Sequence, residues 1–114
     1  FKGDWKKISS LMSGATYSDE QIRQTMLDCY NHNHYILDPH GACGYQALKD
    51  LLLDGEVGVF GETAHPAKFK DTVESAINAE VAIPERLAAF MKGEKKSIAM
   101  SKEFGDFKDF LMKR

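Results

Sequence analysis

Apolar residues recur at helical spacing in several stretches of this chain, and each stretch is bounded by its own start and stop signals. Ser18-Asp19-Glu20-Gln21 reads as a helix start: Ser18 is an N-cap, Gln21 closes a capping box, and two acids occupy the positive first turn. Ile22, Met26, Cys29 and Tyr30 follow at helical spacing to about Asn31. A run of β-branched and aromatic residues, Tyr35-Ile36-Leu37, reads as a short buried strand. Asp38-Pro39 cuts it off, with Asp38 capping and Pro39 at the first helical position. The helix that follows runs to about Leu53, with Tyr45, Leu48, Leu51 and Leu52 as its apolar stripe and Gly55 as its stop.

Val57-Gly58-Val59-Phe60 predicts a second strand, and Gly61-Glu62-Thr63-Ala64 a loop. His65-Pro66 then opens a helix through Phe69, Val73, Ala76 and Ile77. Ile83-Pro84 restarts the chain into a short helix that ends at Gly93. A last amphipathic helix follows Ser101, its face built from Phe104, Phe107, Phe110 and Leu111. The residues before Tyr17 read as a short helix and a loop. This divides the chain into a linking segment (1–17), a helix–strand–helix–strand–helix unit (18–78) and closing helices (79–114). The expected fold class is α/β, with short parallel strands flanked by helices, because strand, helix, strand implies a right-handed parallel crossover. Two short strands leave open edges, so further strands are expected from a larger domain.

Composition narrows the setting. With 15 Lys+Arg against 17 Asp+Glu, the formal charge of −2 speaks against a nucleic-acid binder. No apolar run approaches the roughly 20 residues that span a bilayer. Asp106 and Asp109 interrupt the basic face that an anionic membrane would require of the last helix. Two cysteines, Cys29 and Cys43, form no disulfide framework, and a reducing cytoplasm is the expected location. The chain opens at Phe1 without an initiator Met, from which a piece of a longer protein is expected.

Three sets of residues could carry chemistry. The turn Gly61-Glu62-Thr63-Ala64-His65-Pro66 lies where a strand meets a helix, the place at which open α/β sheets bind ligands. Its small residues let a planar ligand approach the backbone, and Thr63 offers a neutral hydroxyl. The same turn also reads as an ordinary connection. Cys29-x-x-His32 and His40-x-x-Cys43, with His34 in reserve, form a symmetric pair of zinc-ligand spacings. Against zinc, the strand and helix cap between them occupy the space a finger loop would need, and free cysteines are commonly small buried hydrophobes. Lys68 is the tempting lysine, yet it stands beside Lys70 at a position expected to be solvated, and a nucleophilic lysine needs desolvation.

The segment Thr63-Ala64-His65-Pro66-Ala67-Lys68-Phe69 resembles the signature near the C-terminus of the threonine synthase family, pyridoxal-phosphate enzymes of fold type II. Asp38-Pro39-His40, followed by Gly41-Ala42-Cys43-Gly44-Tyr45, resembles the same family's upstream helix start, and Ile83-Pro84-Glu85-Arg86-Leu87 fits in order. Gly41 and Cys43 are the departures, since larger or β-branched residues are expected there in many relatives. The resemblance implies part of a larger fold-type-II domain and the conversion of O-phospho-L-homoserine and water to L-threonine and phosphate. It implies pyridoxal phosphate as cofactor, with Thr63 at the pyridine nitrogen. It also places the Schiff-base lysine and the phosphate loop upstream, so no catalytic residue and no metal ligand is assigned to this chain. The expected partners are the rest of the same polypeptide and the substrate, with neither nucleic acid nor membrane. The competing expectations are a stand-alone, non-catalytic α/β interaction module and part of another fold-type-II lyase, such as a serine or threonine dehydratase.

Overall fold

Residues 1–113 are described by a computed structural model. The chain divides into two compact units, Phe1–Ile83 and a second that begins at Pro84. In the first, α1 spans Trp5–Ser9, α2 Asp19–Asn33 and α3 Pro39–Leu51. A 3-10 turn, Pro66–Phe69, then leads into α4, Lys70–Ile77.

The start of α2 is the expected capping box: Ser18 Oγ accepts from Gln21 N–H at 3.3 Å, and Gln21 Oε1 accepts from Ser18 N–H at 2.9 Å. The helix runs past Asn31 to Asn33 and ends on His34, which takes the left-handed conformation (φ 53°) in the absence of a glycine. Met26 and Cys29 project from α2 into the core. There they join Leu37, Ala42 of α3, Val73 and Ile77 of α4, and Val81. α2 packs on both α3 and α4. Met26, Leu37 and Val73 are completely buried, each contributing roughly 1.5–3 kcal/mol of hydrophobic stabilisation.

The expected short parallel strands are not found: among the described residues there is no β-strand, and the chain is helical. Tyr35-Ile36-Leu37 and Val57-Gly58-Val59-Phe60 form no ladder, and a strand exists only where a partner takes up its backbone groups. The backbone N–H of Asp38, which follows Leu37, donates instead to the Glu62 carboxylate at 2.6 Å. The second segment keeps the alternation of an extended chain without its sheet. Val57 and Val59 are 92% and 91% exposed. The Gly58 Cα lies close against Leu48 and Leu52, where an added Cβ would come within 2.7 Å of a Leu48 methyl. Phe60 meets the Tyr45 ring edge-on, centroids 5.8 Å apart.

Two helices also end differently from the sequence expectation. α3 stops at Leu51, Leu52 is extended, and Gly55 (φ 86°) lies in the turn beyond rather than at the helix stop. The helix expected from Pro66 begins as a 3-10 turn, and only after Phe69 (φ −122°) does α-helix continue.

In the second unit α5 spans Glu85–Met91 and α6 Phe104–Met112, and neither has a buried residue. Phe104, Phe107 and Leu111 of the expected apolar face are 75%, 47% and 51% exposed.

Candidate functional site

Two capped helix starts build the site. Asp38 caps α3, its Oδ1 accepting from the His40 N–H at 2.7 Å, and Pro39 occupies the first turn as expected. The His40 ring bonds the same oxygen through Nδ1 at 2.8 Å and lies on Phe69, centroids 5.1 Å apart. His65 caps the 3-10 turn, Nδ1 accepting from the Ala67 N–H at 3.1 Å. Both histidines therefore brace helix starts.

Beside the second of these starts opens a groove of about 710 Å³, lined in part by Tyr35, Ile36, Thr63, Ala64, His65 and Lys68. Thr63 is exposed on it. Lys68 lines the same groove and is exposed, as a solvated side chain should be. The floor is acidic. Glu62 reaches back between α3 and the turn, so that its carboxylate bonds the Asp38 backbone rather than facing outward. It also lines a second cavity of about 480 Å³ beside Tyr35, Tyr45 and Phe60.

The two acids differ in environment. Burial pushes the fully buried Asp38 carboxyl upward, but the hydrogen bonds from the His40 backbone and ring, helped by the neighbouring Glu62 and Gly41 backbone, outweigh it and hold the group below the usual aspartate range. Glu62 is pushed above the usual glutamate range, first by burial and then by the adjacent Asp38, against the lowering effect of the Asp38 N–H. The composition of α3 makes this possible. A Cβ added to Gly41 would stand 2.0 Å from Glu62 Oε2, so the missing side chain of Gly41 is the space into which Glu62 docks.

The zinc spacings do not converge. Cys29 is buried and accepts from Asn33 Nδ2 at 3.6 Å, while the Cys43 thiol donates to the Pro39 carbonyl at 3.4 Å. His32 Nδ1 lies 2.8 Å from the Asp28 carbonyl. Among the described residues no group of three or more His, Cys, Asp or Glu side chains is placed to hold a metal ion. No described helix is long and apolar enough to cross a membrane.

A family model described as "Threonine synthase, C-terminal" matches residues 41–111, more than half of the chain. The chain belongs to the threonine synthase C-terminal family. The threonine synthase of Serratia marcescens is 41% identical over 98 residues, covering 86% of this chain and 23% of that protein. That of Haemophilus influenzae is 36% identical over 113 residues, covering 99% of this chain and 26% of that protein. The crystal structure of threonine synthase from Escherichia coli superposes with a TM-score of 0.80 at 31% identity, over 96% of this chain and 28% of that one. A PLP-bound threonine synthase from Brucella melitensis gives 0.73 at 25% identity, over 93% of this chain and 23% of that one. The chain thus spans about a quarter of the length of the curated relatives it matches.

Sequence reasoning missed Glu62, which it left in a loop. The available signal was the pairing of a charged residue after an apolar run with an unexpected glycine, Gly41, in the facing helix.

Proposed function

We propose that this chain forms one wall of the cofactor site of a threonine synthase, which converts O-phospho-L-homoserine and water to L-threonine and phosphate with pyridoxal phosphate. The observation that carries this reading is the exposed Thr63 of the TAHPAKF turn on the rim of the groove, within a chain of this family. The residues fit such a group. Gly61 and Ala64 leave the backbone open to a planar ring, and the nearest carboxylate, Glu62, is tied to the Asp38 N–H. What Thr63 offers the groove is a neutral hydroxyl.

Bound pyridoxal phosphate supplies the electron-withdrawing ring on which the substrate chemistry depends. Thr63 would hold the cofactor at its ring nitrogen through a hydroxyl that adds no charge, which would leave the ring a weaker electron sink than a carboxylate partner would. Lys68 takes no covalent part, since it is exposed where a nucleophilic lysine must be desolvated. The covalent lysine and the phosphate loop come from the rest of the same polypeptide. That polypeptide also covers the exposed Val57 and Val59 and the exposed Phe104, Phe107 and Leu111 of α6, completing the larger fold-type-II domain. The location that suits this reading is the cytoplasm.

In the full-length polypeptide, Thr63→Ala is expected to weaken cofactor binding by about fivefold, the worth of one hydrogen bond near 1 kcal/mol, and Thr63→Ser to restore it. Equilibrium titration with pyridoxal phosphate measures this, and an unchanged Thr63→Ala affinity refutes the role. With O-phosphohomoserine, threonine and phosphate should appear in equal amounts. Phosphate without threonine refutes this activity in favour of another fold-type-II lyase.

A further inference from the structure

Two carboxylic acids meet behind the Thr63 turn, and the function proposed above assigns neither of them a chemical role. Asp38 is fully buried and Glu62 half-buried. Each has one satisfied oxygen: Asp38 Oδ1 takes the two His40 contacts, and Glu62 Oε1 takes the Asp38 N–H at 2.6 Å. Each also has a second oxygen, Asp38 Oδ2 and Glu62 Oε2, that is buried without a hydrogen-bond partner. The bond from the Asp38 N–H to Glu62 Oε1 brings the two side chains into one buried site, each with an oxygen left over.

Two carboxylates in contact away from water repel, and two unpaired buried acceptors add a further penalty. A single proton relieves both problems, since it cancels one charge and turns one of the orphaned acceptors into a donor. The surrounding donors decide where it resides. Asp38 receives the His40 N–H and ring, which favour its anion, whereas burial and the neighbouring Asp38 charge favour the neutral form of Glu62. The other titratable groups around the pair are few. His65 and Lys68 share one Glu62-lined groove, Cys29 and Tyr45 share the other, and Tyr35 lines both.

We propose that Asp38 and Glu62 share one proton, carried on Glu62, and that this pair straps the Thr63 turn to the first turn of α3, making Glu62 a positioning residue for Thr63. The strap joins residues 24 apart in sequence through the bond from the Asp38 N–H to the Glu62 carboxyl. Thr63 is the immediate neighbour of Glu62, so its backbone is held wherever the pair is held. The inference rests on the reading of Thr63 as a cofactor contact, and its test separates the two.

The test uses the full-length polypeptide, wild type and the variants Glu62→Gln, Glu62→Ala and Thr63→Ala. Without cofactor, infrared difference spectra across a pH titration should show a protonated-carboxyl band that persists above the ordinary glutamate range and is missing from Glu62→Gln. With pyridoxal phosphate, wild-type affinity should fall as pH rises through the elevated Glu62 value. Glu62→Gln, a permanent neutral donor, should keep the low-pH affinity throughout. Glu62→Ala should lose about tenfold at every pH, having neither donor nor acceptor. Absence of the band, its survival in Glu62→Gln, or wild-type affinity in Glu62→Ala overturns the proposal. A lost band with a weakened Thr63→Ala overturns the pair and leaves the cofactor reading standing. A persistent band with an unaffected Thr63→Ala overturns the cofactor reading and the positioning role, while the shared proton stands.

Discussion

Replacing Gly41 with alanine should destabilise the chain, although the same change at an open helical site is favourable. Alanine exceeds glycine in helix propensity by about 0.8–1.0 kcal/mol. At Gly41, however, the new Cβ would meet Glu62 at 2.0 Å (Oε2), 2.6 Å (Cδ) and 2.8 Å (Oε1), all far inside van der Waals contact. The carboxyl has to leave, and the Asp38 N–H in a fully buried residue then loses its acceptor. An unsatisfied buried donor costs about 1–3 kcal/mol, so after the propensity gain the net change is a loss of up to about 2 kcal/mol. The sign should reverse in a Glu62→Ala background, where no carboxyl obstructs the Cβ and up to ~1 kcal/mol of propensity is recovered. Denaturant unfolding of wild type, both single variants and the double variant measures the cycle. If Gly41→Ala stabilises both backgrounds equally, Glu62 does not dock against α3 and the argument for the pair collapses.

The remaining predictions concern the core and the cap. Met26→Ala removes a completely buried side chain between α2 and its neighbours and should cost about 2–5 kcal/mol, read as a drop in the denaturation midpoint. Asp38→Ala should cost about 0.5–2 kcal/mol through loss of the α3 cap, whereas Asp38→Asn keeps a capping oxygen. Because the folded-state value of Asp38 is depressed, its contribution is present above the ordinary aspartate range and is lost as pH falls through the depressed value. Glu62 has the opposite sign: its raised value gives a contribution present below the ordinary glutamate range and lost as pH rises through the raised one. Thermal melts against pH should lose the acid limb in Asp38→Asn, and an unchanged limb would show that Asp38 is not its source.

Legibility followed the range of the interaction. Ser18 with Gln21 and Asp38 with Pro39 act within one turn of backbone, so their spacing alone announced two helix starts that the structure contains. The TAHPAKF segment was recognisable for the same reason, being contiguous. The strands were not legible, because apolar runs such as Val57 to Phe60 look alike whether or not a ladder partner exists. In this chain none does among the described residues. The Cys–His spacings misled in a related way. They describe distances along helices, and the helices turn Cys29 into the core while Cys43 bonds its own preceding turn.

The sequence by itself determined where helices begin, which residues form the Thr63 turn, and the family to which that turn belongs, since each depends on neighbours a few positions apart. Only the tertiary structure decided that the extended runs stay unpaired, that His40 and His65 brace helix starts, and that Glu62 turns inward. That last placement depends on a carboxylate meeting a backbone N–H 24 residues away through the space left by a missing Cβ at Gly41. Neither residue signals the other along the chain, because the contact is made by the packing of α3 against the turn.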